Sequence, residues 1–227
     1  MVRQRVTRVI RGEEKLARLI HALSVRISCR PEMGWLVRTL LLMSNPAEQL
    51  ISRWDYLEIE RDGIVRHEWV GGQIYAMTGG SRLHNRISFA LARRLEDAAR
   101  PQGCEVYIAD MKVLTDFAGY YPDVMVVCDG ESSKDTYFEE NPCLIAEVAS
   151  KSTADRDRRE KWVAYKEIAS LKHYLLVSQE DTQIEHRYRT DLGWTTEVLG
   201  PTDTLRLHFP EVEITVASIY EGLVTPL

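Results

Sequence analysis

Asp123 follows Pro122 at the head of the run Val-Met-Val-Val, Glu147 sits inside Leu-Ile-Ala-Glu-Val-Ala, and Lys161 lies in the segment after it. Strand periodicity puts Asp123 on the face shared by Tyr121 and Met125, and Glu147 is surrounded by small apolar residues. An ionised carboxylate in such surroundings is costly unless it meets a cation, a metal or several donors. Two acids on consecutive buried strands invite one shared divalent ion. Magnesium suits them, since it accepts a couple of carboxylates, keeps waters and takes further ligands from phosphate. At about 100° per residue, Lys161 lies roughly 40° from Tyr165 and 20° from Ile168, on the inward face of a helix. Each residue has a plainer reading. Asp123 would simply start a strand after proline, Glu147 would pair with an arginine, and Lys161 would snorkel or pair with Asp157 along its helix.

The elements that must position these groups follow from pattern. Ile64–Val70 and Gln73–Met77 flank Gly71-Gly72, a hairpin signal that carries Glu68 in its first strand. After Thr78-Gly79-Gly80-Ser81, the apolar stripe Ile87, Ala90, Leu91, Leu95 and Ala98 predicts a helix over about His84–Arg100, ended by Pro101 and Gly103. Cys104–Leu114 and Tyr121–Cys128 read as strands joined by Asp116–Gly119, followed by a polar loop over Asp129–Pro142. Cys143–Ala149 is nearly continuous in apolar residues, as a strand covered on both faces would be. A helix over Thr153–Ala169 and a strand over His173–Ser178 complete a strand–helix–strand crossover, which favours a sheet with at least one parallel pair. Ile184–Arg189, Trp194–Leu199 and Thr204–His208 alternate like antiparallel strands, and a short helix over Val216–Leu223 closes the chain. The expected fold is one mixed α/β domain over residues 43–227 with additional antiparallel hairpins.

The 44% hydrophobic and 28% charged residues suit one globular domain with a sizeable core. The net charge of −5 is unevenly spread. Residues 1–42 hold nine Lys/Arg against three Asp/Glu, leaving twenty against thirty-one, so the body carries about −11 and the tail about +6. The tail reads as an extension, helical or disordered, and Met43 as an alternative start. An acidic body disfavours broad phosphate-tracking grooves and confines any nucleic-acid contact to one cleft. Cys29, Cys104, Cys128 and Cys143 lack a C-x-x-C pair, which signals neither a zinc site nor a disulfide framework and predicts reduced core cysteines in a cytoplasm. Trp35–Met43 is too short for a membrane span.

With Tyr-Pro-Asp123-Val on one strand and Glu147-Val-Ala-Ser on the next, the chain resembles the PD-(D/E)-x-K superfamily of restriction-endonuclease-like nucleases. More narrowly it resembles the Uma-two family of endonucleases, through Gly71-Gly-Gln-Ile-Tyr-Ala-Met, His84 opening a helix, and Ser-Thr-Ala-Asp-Arg-Asp-Arg-Arg-Glu-Lys161-Trp. The match spans about residues 55–190. The superfamily's lysine normally stands two residues after the glutamate, where this chain has Ala149. The resemblance therefore implies a lysine moved to the following helix, Lys161, with Lys151 and Lys112 in reserve. It further implies Mg²⁺, or Mn²⁺ in its place, held by Asp123 and Glu147. Glu68 and His84 would be accessory groups, and Arg156, Arg158 and Arg159 phosphate contacts. DNA is the expected substrate, a homodimer is compatible with cutting both strands, and the missing strand lysine favours the alternative of a non-catalytic binding protein.

Overall fold

The structure, a computed structural model, describes residues 50–128, 133, 135–149 and 157–223. Its centre is a six-stranded sheet. In chain order its strands are β3 (Cys104–Ile108), β6 (Val124–Cys128), β8 (Leu144–Ala149), β9 (His173–Ser178), β10 (Ile184–Thr190) and β11 (Gly193–Leu199). They lie in space as β11-β10-β9-β8-β6-β3. The β8–β9 pair is parallel and the other pairs are antiparallel, so the crossover expected between Glu147 and His173 is present. Strands β6 and β8 are buried along their whole length, as near-continuous apolar runs require when both faces are covered.

Helix α2 (Arg82–Ala99) covers one face, and its residues Ile87, Leu91 and Leu95 pack with Val124, Val126, Leu144, Ala146 and Val148. Ser81 caps it by accepting from the His84 N–H. The hairpin of β12 (Thr204–His208) and β13 (Glu211–Thr215) joins the same core, as does helix α4 (Val216–Tyr220). On the other face Met125, Val127, Ile145 and Tyr174 meet Ala164 and Tyr165 of helix α3 (Trp162–Tyr165).

A second, five-stranded sheet, ordered β2-β1-β5-β4-β7, leans on this second face. It comprises β1 (His67–Val70), β2 (Gln73–Ala76), β4 (Lys112–Leu114), β5 (Ala118–Tyr120) and β7 (Phe138–Glu139). Helix α1 (Arg53–Asp62) packs against it through Tyr56 and Leu57, with Tyr56 stacked on Trp69. A Cβ on Gly119 would come within 2.8 Å of the Tyr56 ring, so this close approach needs glycine.

Several expectations are corrected. Cys104–Leu114 is two strands in different sheets, broken where Ala109 turns the chain at φ 50°. The Asp116–Gly119 connection contributes to β5, and the expected polar loop contains β7, paired in parallel with β4. Among the described residues, the helix after Glu147 has a π-helical turn over Asp157–Lys161 that runs into α3 and ends at Tyr165, four residues before the expected Ala169. The cysteine expectation fails as well, because Cys104 and Cys128 form a disulfide. They stand directly opposite one another in the β3–β6 register, a proximity that sequence separation conceals. Cys143 remains a buried thiol, its Sγ 3.2 Å from that of Cys128. Residues 1–42, Lys151 and Arg156 lie outside the described residues. No described helix is long and apolar enough to cross a membrane.

Candidate active site

Continuing the β6–β8 register, in which Val124 faces Ala146, by one residue sets Asp123 opposite Glu147. The two acids therefore come from neighbouring strands at one end of the central sheet. Asp123 Oδ2 accepts the Val148 N–H at 2.7 Å and meets His84 Nε2 at 3.0 Å. His84 reaches it from the first turn of α2, where Gly80 is tight against the imidazole, since a Cβ there would sit 2.8 Å from Nδ1. The same end of α2 is tied to the sheet by a second chain of bonds. Ser81 Oγ donates to Gln179 Oε1 at 2.9 Å, and Gln179 Nε2 donates to the Val148 carbonyl at 3.4 Å.

Glu147 is only 3% exposed. Its Oε1 accepts from the Lys161 ammonium at 2.9 Å and from the Tyr165 hydroxyl at 2.8 Å. Lys161, 5% exposed, also pairs with Glu68 Oε1 at 3.2 Å, and its ammonium lies 5.6 Å from the centroid of the Tyr120 ring. Strand alternation in β1 sends Glu68 toward α3 and the central sheet while His67 points the opposite way, so Lys161 ties the two sheets together. In so dry a setting a charge is tolerable only when paired. Burial, followed by the nearby Glu147 charge, holds the Tyr165 hydroxyl far above the usual phenol range, so Tyr165 acts as a permanent donor to Glu147.

Asp123, Glu147, Lys161, Glu68 and His84 are thus brought together. Lys112 is not. It is buried beside the Tyr121 ring, with its ammonium 5.1 Å from the centroid, and burial lowers its pKa. Tyr121 belongs to a separate polar cluster on the far face of β1. There the Glu60 carboxylate accepts from the Tyr121 hydroxyl at 2.5 Å, from the His67 backbone N–H at 3.0 Å and from His67 Nδ1 at 2.9 Å. Arg159 is exposed, and the side chain of Arg158 lies outside the described residues. Sequence periodicity marks Tyr165 only as part of an apolar stripe. The signal for more was its position four residues after Lys161, which brings both polar tips to one carboxylate.

Asp123 keeps one carboxylate edge open at this end of the sheet. Among the described residues both hydrogen bonds of Asp123 fall on Oδ2, leaving Oδ1 as an edge for a cation. No three His, Cys, Asp or Glu side chains among the described residues converge as a closed metal cage. A two-carboxylate site of this kind matches an ion that keeps most of its waters.

A mixed central sheet covered by helices on both faces, with two acids at one end, has the restriction-endonuclease-like fold. The fold is shared with a crystal structure described as a putative nuclease belonging to DUF820, from Anabaena variabilis. The two superpose with TM-score 0.65 at 11% identity, over 77% of this chain and 99% of that one. The chain belongs to the Uma2 family, described as "putative restriction endonuclease", whose model matches residues 54–217. Two uncharacterized proteins of Synechocystis sp. are similar. One, slr1290, is 36% identical over 176 residues, 76% of this chain and 93% of its own length. The other, sll1609, is 31% identical over 177 residues, 75% of this chain and all of its own length.

Proposed function

We propose that this protein hydrolyses phosphodiester bonds in DNA with the help of Mg²⁺, and that Asp123, Glu147 and Lys161 carry the reaction. The observation behind this reading is the Lys161–Glu147 contact beside Asp123, which supplies a lysine where Ala149 leaves none on the strand. Asp123 and Glu147 would hold the ion, which when bound polarises the scissile phosphate and lowers the pKa of a water. Tyr165 and Lys161 fix the orientation of Glu147. Lys161 is placed to steady negative charge that develops on the phosphate, an electrostatic role that gains strength where water is excluded. His84 orients Asp123 and can carry a proton at Nδ1 or Nε2.

A second reading is a protein that keeps this fold to bind nucleic acid without cutting it. It draws on the same buried network, because Lys161 and Tyr165 already compensate Glu147 within the protein. Incubation of supercoiled, linear and single-stranded DNA with Mg²⁺ or Mn²⁺ separates the two. Cleavage by the wild type, reduced at least 100-fold in Asp123→Asn, Glu147→Gln and Lys161→Met, is the expected result. Undiminished cleavage by Glu147→Gln overturns the site, and metal-independent binding without cleavage favours the second reading.

A further inference from the structure

Helix α2 joins the candidate site to a surface whose charge departs from the rest of the domain. Between Ser81 and Leu95 it carries Arg82, Arg86, Arg93 and Arg94 and no acid, although the chain beyond residue 42 is about −11 overall. At about 100° per residue, Arg82, Arg86, Phe89 and Arg93 fall within an arc of roughly 60°, opposite the buried Ile87, Leu91 and Leu95. All four are exposed, Phe89 by 60%. Arg82, Arg86 and Arg93 form no ion pair with any described residue. Other surface arginines differ in this respect: Arg61 pairs with Glu58, Arg100 with Glu96 and Arg206 with Glu213, although the exposed Arg159 is likewise without an ion pair to a described residue. Arg94 is used internally, donating to Ser218 Oγ and the Ala90 carbonyl.

The stripe begins one turn from the acids, since Ser81 and His84 are bonded to Gln179 and Asp123. From Arg82 to Arg93 it rises about 16 Å, comparable to roughly five phosphates of one strand along a duplex axis. Beside it Arg86, Phe89 and Arg93 line a cleft of about 290 Å³ against α4, with Glu221 also in its lining.

We propose that Arg82, Arg86 and Arg93 form a backbone track for nucleic acid that leads away from the site along α2, with Phe89 contacting sugars or bases. This rests on the nuclease reading for its direction and on unpaired charge for its chemistry. Three cations spaced along one helix face, none held in an ion pair with a described residue, displace counterions from a phosphate chain in the way that paired arginines cannot.

The test is binding in EDTA, which separates it from cleavage, using the full chain and fluorescein-labelled duplex DNA, single-stranded DNA and RNA of one sequence. Arg82→Gln/Arg86→Gln/Arg93→Gln should bind at least 10-fold more weakly near 0.1 M salt, with the slope of log K against log salt reduced by about 2–3. Each single variant should account for about one unit of that slope, and the melting temperature should hold. Arg61→Gln/Arg100→Gln/Arg206→Gln serves as the control and should bind like the wild type. An unchanged slope in the first triple variant, an equal loss in the control, or no salt-dependent binding by the wild type overturns the track. A wild type that binds through the stripe but does not cut sinks only the nuclease reading. One that cuts while the triple variant keeps its slope sinks only the track. The three probes show whether the occupant is DNA or RNA.

Discussion

Lys161 illustrates how much one buried ammonium can be asked to do. It meets Glu147 and Glu68 at once, so its removal leaves two carboxylates without their cation in a nearly dry site. Breaking a buried pair from one side costs about 3–5 kcal/mol, far more than a surface pair is worth. Lys161→Met should therefore lower the melting temperature by on the order of 10 °C, taking about 2–4 °C per kcal/mol for a domain of this size. Adding Glu147→Gln to Lys161→Met should recover at least half of that loss, since it removes one of the stranded charges. A double variant that melts as low as the single would show that the pairing is not the source. Tyr165→Phe should cost about 2 kcal/mol, the range for a hydrogen bond to a charged group. Under the proposed function it should lower kcat with little change in KM, because the buried hydroxyl acts through its bond to Glu147. The two acids were legible in the sequence because polar residues inside apolar strand runs demand an explanation. Lys161 was legible through helical phase. Glu68 and Lys112 were not ranked by these signals. Which of two buried groups reaches the site depends on how two sheets lean together, and local periodicity does not contain that.

At the scale of elements, β6, β8, β9 and α2 were readable because each carries its own period: continuous apolar runs for strands covered on both faces, and a stripe for the helix. The five-stranded sheet was not, since β4, β5 and β7 span only three, three and two residues, too few for a pattern. The disulfide escaped for a related reason, because register and not spacing brings Cys104 to Cys128. The β9–β10 junction holds a further consequence. His173 Nδ1 contacts His186 Nε2 at 3.0 Å, and His186 Nδ1 contacts Glu197 at 2.8 Å. Burial, then the proximity of His186, His208 and Lys172, pushes His173 down to about 3. Burial also lowers His186, against the opposing pull of Glu197. A histidine held below its unfolded value of about 6.5 binds its proton more readily when unfolded. Its contribution is therefore intact above that value and lost as pH falls toward 3, at about 1.4 kcal/mol per pH unit. Urea unfolding at a series of pH values should show this slope, and His173→Gln should flatten it. An identical slope in that variant would assign the pH dependence to other groups.

For the whole molecule, the proposed metal site makes a prediction independent of any turnover. An ion that binds the folded chain and not the unfolded one stabilises it by RT ln(1 + [L]/Kd). Two carboxylates with a largely hydrated ion imply weak binding. With the ion at ten times its Kd the gain is about 1.4 kcal/mol, or roughly 3–5 °C in melting temperature. Titration with MgCl₂, against an equal ionic strength of KCl, should raise the melting point of the wild type and saturate. Chelation with EDTA should return it to the starting value. Asp123→Asn and Glu147→Gln should each abolish the increment whatever their own melting points, because each removes one of the two proposed anionic ligands. Lys112→Met, in the separate cluster around Tyr121, should retain it. The salt control matters because the body is acidic, and any cation that screens its self-repulsion would stabilise the fold without a site. A rise that persists in both carboxylate variants would therefore be general screening. The loss of the rise in those two variants alone would assign the ion to the end of the central sheet where Asp123 faces Glu147.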